Sequence, residues 1–96
     1  MSTTEVVFYQ IKAEKVENYA SISKIADEFL KTRQGFISRL VKQDHNDNSI
    51  FLDIVEWETL EDAQNAAEAF KKEASLMPFF DAFEKVISFN HLHSYS

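Results

Sequence analysis

Apolar residues recur along this chain in two rhythms, and the points where one gives way to the other divide it into elements. Residues 5–12 (EVVFYQIK) are short and rich in β-branched and aromatic side chains, which predicts a strand. From Glu14 the spacing changes. Val16, Tyr19, Ile22, Ile25, Ala26, Phe29 and Leu30 recur at threes and fours, the signature of an amphipathic helix, and Gly35 stands where a left-handed cap would end it. Residues 36–44 (FISRLVKQD) and 49–58 (SIFLDIVEWE) are two further strands. The intervening His45-Asn46-Asp47-Asn48 is turn chemistry, so the pair forms a β-hairpin. Thr59 is placed to cap a second helix, with Glu61 and Asp62 favourable to its dipole and Leu60, Ala63, Ala66, Ala67, Phe70 and Ala74 along its apolar stripe. Ser75-Leu76-Met77-Pro78 breaks that stripe. A short helical turn carrying Phe79, Phe80 and Phe83 follows through Pro78, and residues 85–95 (KVISFNHLHSY) close as a last strand.

Strand–helix–strand–strand–helix–strand is the ferredoxin-like α+β arrangement, one domain over residues 1–96, with both helices on one face of a four-stranded antiparallel sheet. The other face should then alternate apolar with polar if it meets water. It does not. Ile50, Leu52 and Ile54 lie on one side of the third strand while Phe51, Val55 and Trp57 lie on the other, and Val6 and Phe8 oppose Val7, Tyr9 and Ile11 on the first. Two helices cover only one face, so a second cover is needed, and the simplest is another copy about a two-fold axis. A homodimer is therefore expected. The candidate partner-facing residues are Arg39, Phe51, Asp53, Val55 and Glu56.

Composition narrows the function classes. Nine Phe, three Tyr and one Trp in 96 residues mean either a dense aromatic core or apolar surface kept for a partner. A net charge of −6, with no basic run longer than Lys71-Lys72, argues against nucleic acid and anionic membrane surfaces as partners. The absence of Cys excludes disulfides and thiolate metal sites. No apolar run approaches membrane-spanning length, and residues 1–5 (MSTTE) lack a signal-peptide pattern, so a cytoplasmic location is expected. Gly-rich phosphate loops, a Ser-His-Asp order and a cysteine nucleophile are all missing.

The segment Val55-Glu56-Trp57-Glu58-Thr59-Leu60-Glu61-Asp62-Ala63 resembles the strand-to-helix junction of antibiotic-biosynthesis-monooxygenase-like domains, in which an acidic residue, a Trp and an acidic helix start recur. The first helix followed by Gly35-Phe36, the hairpin, and the late aromatics Phe80 and Phe83 extend the resemblance over nearly the whole chain. It implies a dimeric α+β barrel of two sheets face to face, with a small apolar pocket between sheet and helices. It also implies a choice among cofactor-independent monooxygenases acting on aromatic polyketides or quinols, haem-degrading proteins, and members without assigned activity. Many of the monooxygenases carry a His about where this chain has Ala66. The haem-degrading branch has a strand-one Asn, a helical Trp and a helical His; here the first strand has no Asn, and Ala66 and Leu76 lie near the other two places, so haem degradation is not expected.

His91 and His93, two apart on the last strand, should share one face and are the candidate proton acceptors. A metal would need a third ligand, for which Asp53 and Glu56 are weak nominees, and neither metal nor cofactor is expected. Tyr9, Tyr19, Trp57, Phe70, Phe80 and Phe83 are the candidate ligand-pocket residues, although each also reads as ordinary core, as do Phe29 and Phe79. An Asn46-Asp47 turn would set Arg39 diagonal to Glu56 across the hairpin; a one-residue slip would set it opposite Asp53. Two functions remain: a dimeric module that binds a small apolar or aromatic molecule, or a cofactor-free monooxygenase acting on a quinol or aromatic polyketide-type substrate.

Overall fold

The computed structural model describes residues 2–96, in the order β1 (Thr3–Ile11), α1 (Tyr19–Leu30), β2 (Phe36–Gln43), β3 (Ile50–Trp57), α2 (Leu60–Lys72), α3 (Met77–Ala82) and β4 (Phe83–Leu92). The strands form one antiparallel sheet ordered β2-β3-β1-β4, the ferredoxin-like arrangement. Among the described residues no helix is long and apolar enough to cross a membrane.

Element ends follow local chemistry. Val16 caps the end of the 3₁₀ turn Ala13–Lys15 that precedes α1, yet still packs on the core, so the helical stripe starts before the helix. Gly35 lies beyond the end of α1 at φ +82°, and a Cβ there would collide with the Asp62 side chain, so the turn into β2 requires glycine on both counts. Thr59 caps α2 by accepting from the Asp62 backbone N–H at 3.0 Å. Pro78 sits in the first turn of α3, and Phe83 is already in β4 rather than in that helix.

The hairpin register differs from both expected alignments. Arg39 stands directly opposite Val55 and Leu40 opposite Ile54. The loop is longer than a two-residue turn. Asp44 accepts from the backbone N–H groups of Asn46 and Asp47, and Asp47 accepts from those of Ser49, so carboxylates shape the loop as Asx turns.

Both helices lie against one face of the sheet. Tyr9 and Ile11 of β1 and Phe51, Asp53, Val55 and Trp57 of β3 are buried on that face. This corrects the expected partner face. Arg39, Phe51, Asp53 and Val55 face the protein's own helices, and of the five nominated residues only Glu56 lies on the uncovered side, where Thr4 donates to it at 2.5 Å. Strand parity makes the two faces nearly equal in apolar content, so sequence alone had no means of saying which the helices take. The uncovered face carries Val6 and Phe8 of β1, Leu52 and Ile54 of β3, Leu40 of β2 and Leu92 of β4, with Leu40 and Leu92 about half exposed.

Candidate functional site

The buried side chains separate into two clusters, one around Tyr9, Tyr19, Phe51 and Phe79, the other around Trp57, Val55, Ala63 and Ala66, and Phe70 packs against both. A cavity of about 520 Å³ is lined by members of both clusters. Its walls are mainly aromatic: Trp57, Phe70, Phe79, Phe80, Phe83 and Phe89. Ala66 and Ala67 leave room on the α2 side, where larger residues would close the space. Phe89 and Val86, 48 % and 54 % exposed on the same side of β4, put the opening at that edge of the sheet, and the exposed Lys71 stands beside it. A space of this size with such walls is typical of a small-molecule site.

Of the six nominated pocket residues, Tyr9, Trp57, Phe70, Phe80 and Phe83 line this cavity. Tyr19 does not. It lies behind Tyr9, with the two hydroxyls 2.6 Å apart.

Polar groups enter the cavity wall at two places. At the first, Asp53 accepts from Arg39 Nε at 3.0 Å and Nη2 at 2.7 Å, and from the Tyr9 hydroxyl at 2.5 Å. Because Tyr9 donates to Asp53, its oxygen accepts from Tyr19. Arg39 Nη1 extends the network to Asp27 at 2.7 Å and to the Ser23 carbonyl and hydroxyl. Burial acts to lower the guanidinium's pKa, but Asp53 and Asp27 more than offset it, so the net shift is upward. Burial raises the Asp53 carboxyl, opposed by the charge of Arg39 and the Tyr9 hydrogen bond. The phenols move the same way: burial and the Asp53 charge push Tyr19 up to about 12 and Tyr9 further. Neither tyrosine is a tyrosinate near neutrality.

At the second place, Glu5 of β1 lies directly across from His91 of β4, with Glu5 Oε2 and His91 Nε2 2.8 Å apart. Glu5 lines the cavity; His91 lines a separate outer groove of about 410 Å³ formed with Thr3, Thr59 and Leu60. Burial raises the Glu5 carboxyl above its ordinary range, while the hydrogen bond and charge of His91 act to lower it. The Trp57 indole N–H lies near enough to help hold Glu5 down but is buried without a hydrogen-bond partner.

His93 lies just past the end of β4, exposed, its Nδ1 on the Ser94 carbonyl; it borders the outer groove and not the cavity. Glu5 escaped the sequence reading because it stands at the polar start of its strand. Parity was the available signal, since Glu5, Val7, Tyr9 and Ile11 share a face. Asp27 and Ser23, the α1 partners of Arg39, carried no such signal. Among the described residues no group of three His, Asp or Glu is arranged to hold a metal ion.

No family model and no curated protein matches the chain. Solved structures do share its fold. A candidate antibiotic biosynthesis monooxygenase from Bordetella bronchiseptica superposes with a TM-score of 0.85 over 99 % of this chain and 98 % of its own, at 9 % identity. SnoaB, a cofactor-independent oxygenase from Streptomyces nogalater, gives 0.79 over 99 % and 94 % at 11 % identity. A conserved protein from Methanosarcina mazei Go1 gives 0.74 over 96 % and 91 % at 18 % identity. The fold is thus that of the antibiotic-biosynthesis-monooxygenase-like proteins, the group the sequence resembled.

Proposed function

We propose that this protein binds a small, flat, largely apolar molecule in the cavity between its sheet and helices, and does so as a homodimer. The carrying observation is the cavity, walled by aromatic rings and open at the β4 edge. Trp57 is the only tryptophan and lines that space, so its emission reports occupancy directly. Titration with coumarin, a planar bicyclic probe, is expected to quench or shift Trp57 emission saturably. Ala67→Phe, which fills the wall on α2, should weaken that response at least tenfold. An unsaturable response, or equal affinity in Ala67→Phe, would place the probe elsewhere and defeat this reading.

The dimer rests on the uncovered sheet face. Val6, Phe8, Leu40, Leu52 and Ile54 present contiguous apolar surface there, and a second such face would bury it at about 25 cal/mol per Å². Light scattering at micromolar concentration should give twice the 11.1 kDa chain mass, and Leu52→Lys should return it to one. A wild-type mass of one chain would sink the assembly.

A second reading, cofactor-free oxygenation of a quinol or aromatic polyketide-type substrate, is favoured by one feature: a carboxylate backed by an imidazole in the wall of the same cavity. Such chemistry starts by removing a proton from the substrate, and Glu5 with His91 provides a place for it.

A further inference from the structure

The polar groups set among the cavity's aromatic rings are of one kind. Glu5 and Asp53 border it with carboxylates. The donors on that side are spent inside the protein. The Tyr9 hydroxyl goes to Asp53, and the Trp57 indole N–H is buried beside Glu5. Arg39 directs Nε, Nη1 and Nη2 to Asp53, Asp27 and Ser23. A ligand carrying negative charge would meet carboxylates there and no free donor. The balance of charge points the same way. Asp27, Asp53 and Glu5 are answered by Arg39 and, when it is protonated, by His91, which leaves negative charge over. Burial raises both the Glu5 and Asp53 carboxyls, as it does where a negative charge is short of counterions. Lys71 stands at the mouth with its side chain 71 % exposed and 3.6 Å from Glu68, so water and Glu68 screen it from the interior.

We infer that the cavity's ligand is a flat aromatic cation, a nitrogen heterocycle whose positive charge is spread over its ring, held by the aromatic walls and by the excess negative charge of the sheet floor. This rests on the cavity being a ligand site and adds to it the sign of the ligand's charge. Aromatic rings attract a cation through their electron-rich faces, and more strongly where water is excluded. Delocalisation decides which cation fits. A compact ammonium would lose strong hydration on entering apolar walls, whereas a charge spread over a ring is weakly hydrated and keeps a flat apolar surface. Glu5 is the carboxylate that answers it, because Asp53 is already met by Arg39 and Tyr9. The cation favours ionised Glu5, so affinity should rise as pH climbs through a carboxyl pKa raised above 4.5. The other charged and titratable groups around Glu5 are His91 from β4, Asp53 from β3 and Lys71 from α2 at the cavity opening. His91 and Asp53 lose protons in the same direction and so reinforce the rise.

The test uses the full chain, equilibrium dialysis and three probes built on one ring system. These are 2-methylquinoline, uncharged in mildly alkaline buffer; N-methylquinolinium, a fixed cation with the same heavy-atom count; and quinoline-2-carboxylate, an anion. In that buffer the cation should bind about tenfold more tightly than the neutral probe, and the carboxylate more weakly than either. Because the cation's charge is fixed, any pH dependence of its binding comes from the protein, and its affinity should rise from mildly acidic to mildly alkaline buffer. Glu5→Gln, shown to be folded by circular dichroism, should remove most of the cation's preference over the neutral probe and reduce that rise. A neutral probe or a carboxylate that binds as tightly as the cation overturns the inference while leaving the cavity as a ligand site. So does a preference that Glu5→Gln leaves unchanged, or a wild-type affinity for the cation that is flat with pH, a result that stands even if the variant fails to fold. If none of the three probes binds, the cavity reading itself fails and the cation falls with it.

Discussion

Glu5 and Asp53 are buried carboxylates on the same face of adjacent strands, diagonal neighbours in the β1–β3 ladder, and the protein surrounds them in opposite ways. Asp53 receives a bidentate guanidinium and a phenol, and the guanidinium is itself fixed to α1 through Asp27 and Ser23. Glu5 receives one imidazole at full hydrogen-bond distance, has the Trp57 indole N–H nearby, and borders the cavity. Burial raises both carboxyls. What differs is whether the hydrogen-bonding capacity is used up. A carboxylate saturated by rigid partners fixes how elements pack, here β2 and β3 against α1. One left half-satisfied is available to something that is not part of the chain.

That contrast predicts unequal costs for removing each site, and the largest lies at Arg39. Its side chain is only 2 % exposed. Arg39→Met would leave Asp53 charged in the core with Tyr9 alone, and would release Asp27 from β2. Breaking a buried pair from one side costs about 3–5 kcal/mol, a large share of the stability of a domain this size. Urea denaturation should therefore show a strongly lowered midpoint in Arg39→Met, with part of the loss regained when Asp53→Asn is added. A midpoint close to wild type would mean that the network is incidental to the packing.

The fold was legible for reasons that act locally. Short runs rich in β-branched and aromatic residues marked β1 and β3, spacing at threes and fours marked α1 and α2, and Thr59, Gly35 and Pro78 marked boundaries through their own conformational limits. Five of the six nominated residues border the cavity, because aromatic side chains on a helix-facing strand or on a helix's apolar face have few other places to go. What was not legible depends on which face is covered and on register. Ile50, Leu52 and Ile54 look as suited to the interior as Phe51, Val55 and Trp57, so assigning Phe51 and Val55 to a partner was undetermined by pattern. Arg39 with Asp53 was one of the two pairings left open and is the one that forms, but from a register neither alignment contained, because the loop is shaped by the Asp44 and Asp47 side chains rather than by a two-residue turn. Glu5 joins His91 across a separation of 86 residues, a contact that no local signal announces.

The smaller effect belongs to Glu5, and its pH dependence separates it from Asp53. Glu5→Gln removes a buried negative charge while keeping a group that His91 can still meet, so stability at neutral pH should change by no more than about 1 kcal/mol in either direction. The signature is in the slope. In the folded protein Glu5 holds its proton more tightly than in the unfolded chain, its pKa being raised from 4.5. The native state therefore binds more protons than the unfolded state above that value, and linkage makes stability fall as pH rises through the folded pKa. Below 4.5 the contribution is fully present. Asp53 contributes a decline of the same sign that persists in the variant, since its carboxyl is raised too. Subtracting the Glu5→Gln profile from the wild-type profile isolates the Glu5 share. That difference should decline with rising pH across the window above 4.5, as the carboxylate forms in its half-satisfied site. A flat difference would mean that burial does not raise this carboxyl. A rise with pH would mean that His91 satisfies Glu5 so well that the carboxylate is the favoured form in the fold, and the contrast with Asp53 would then vanish.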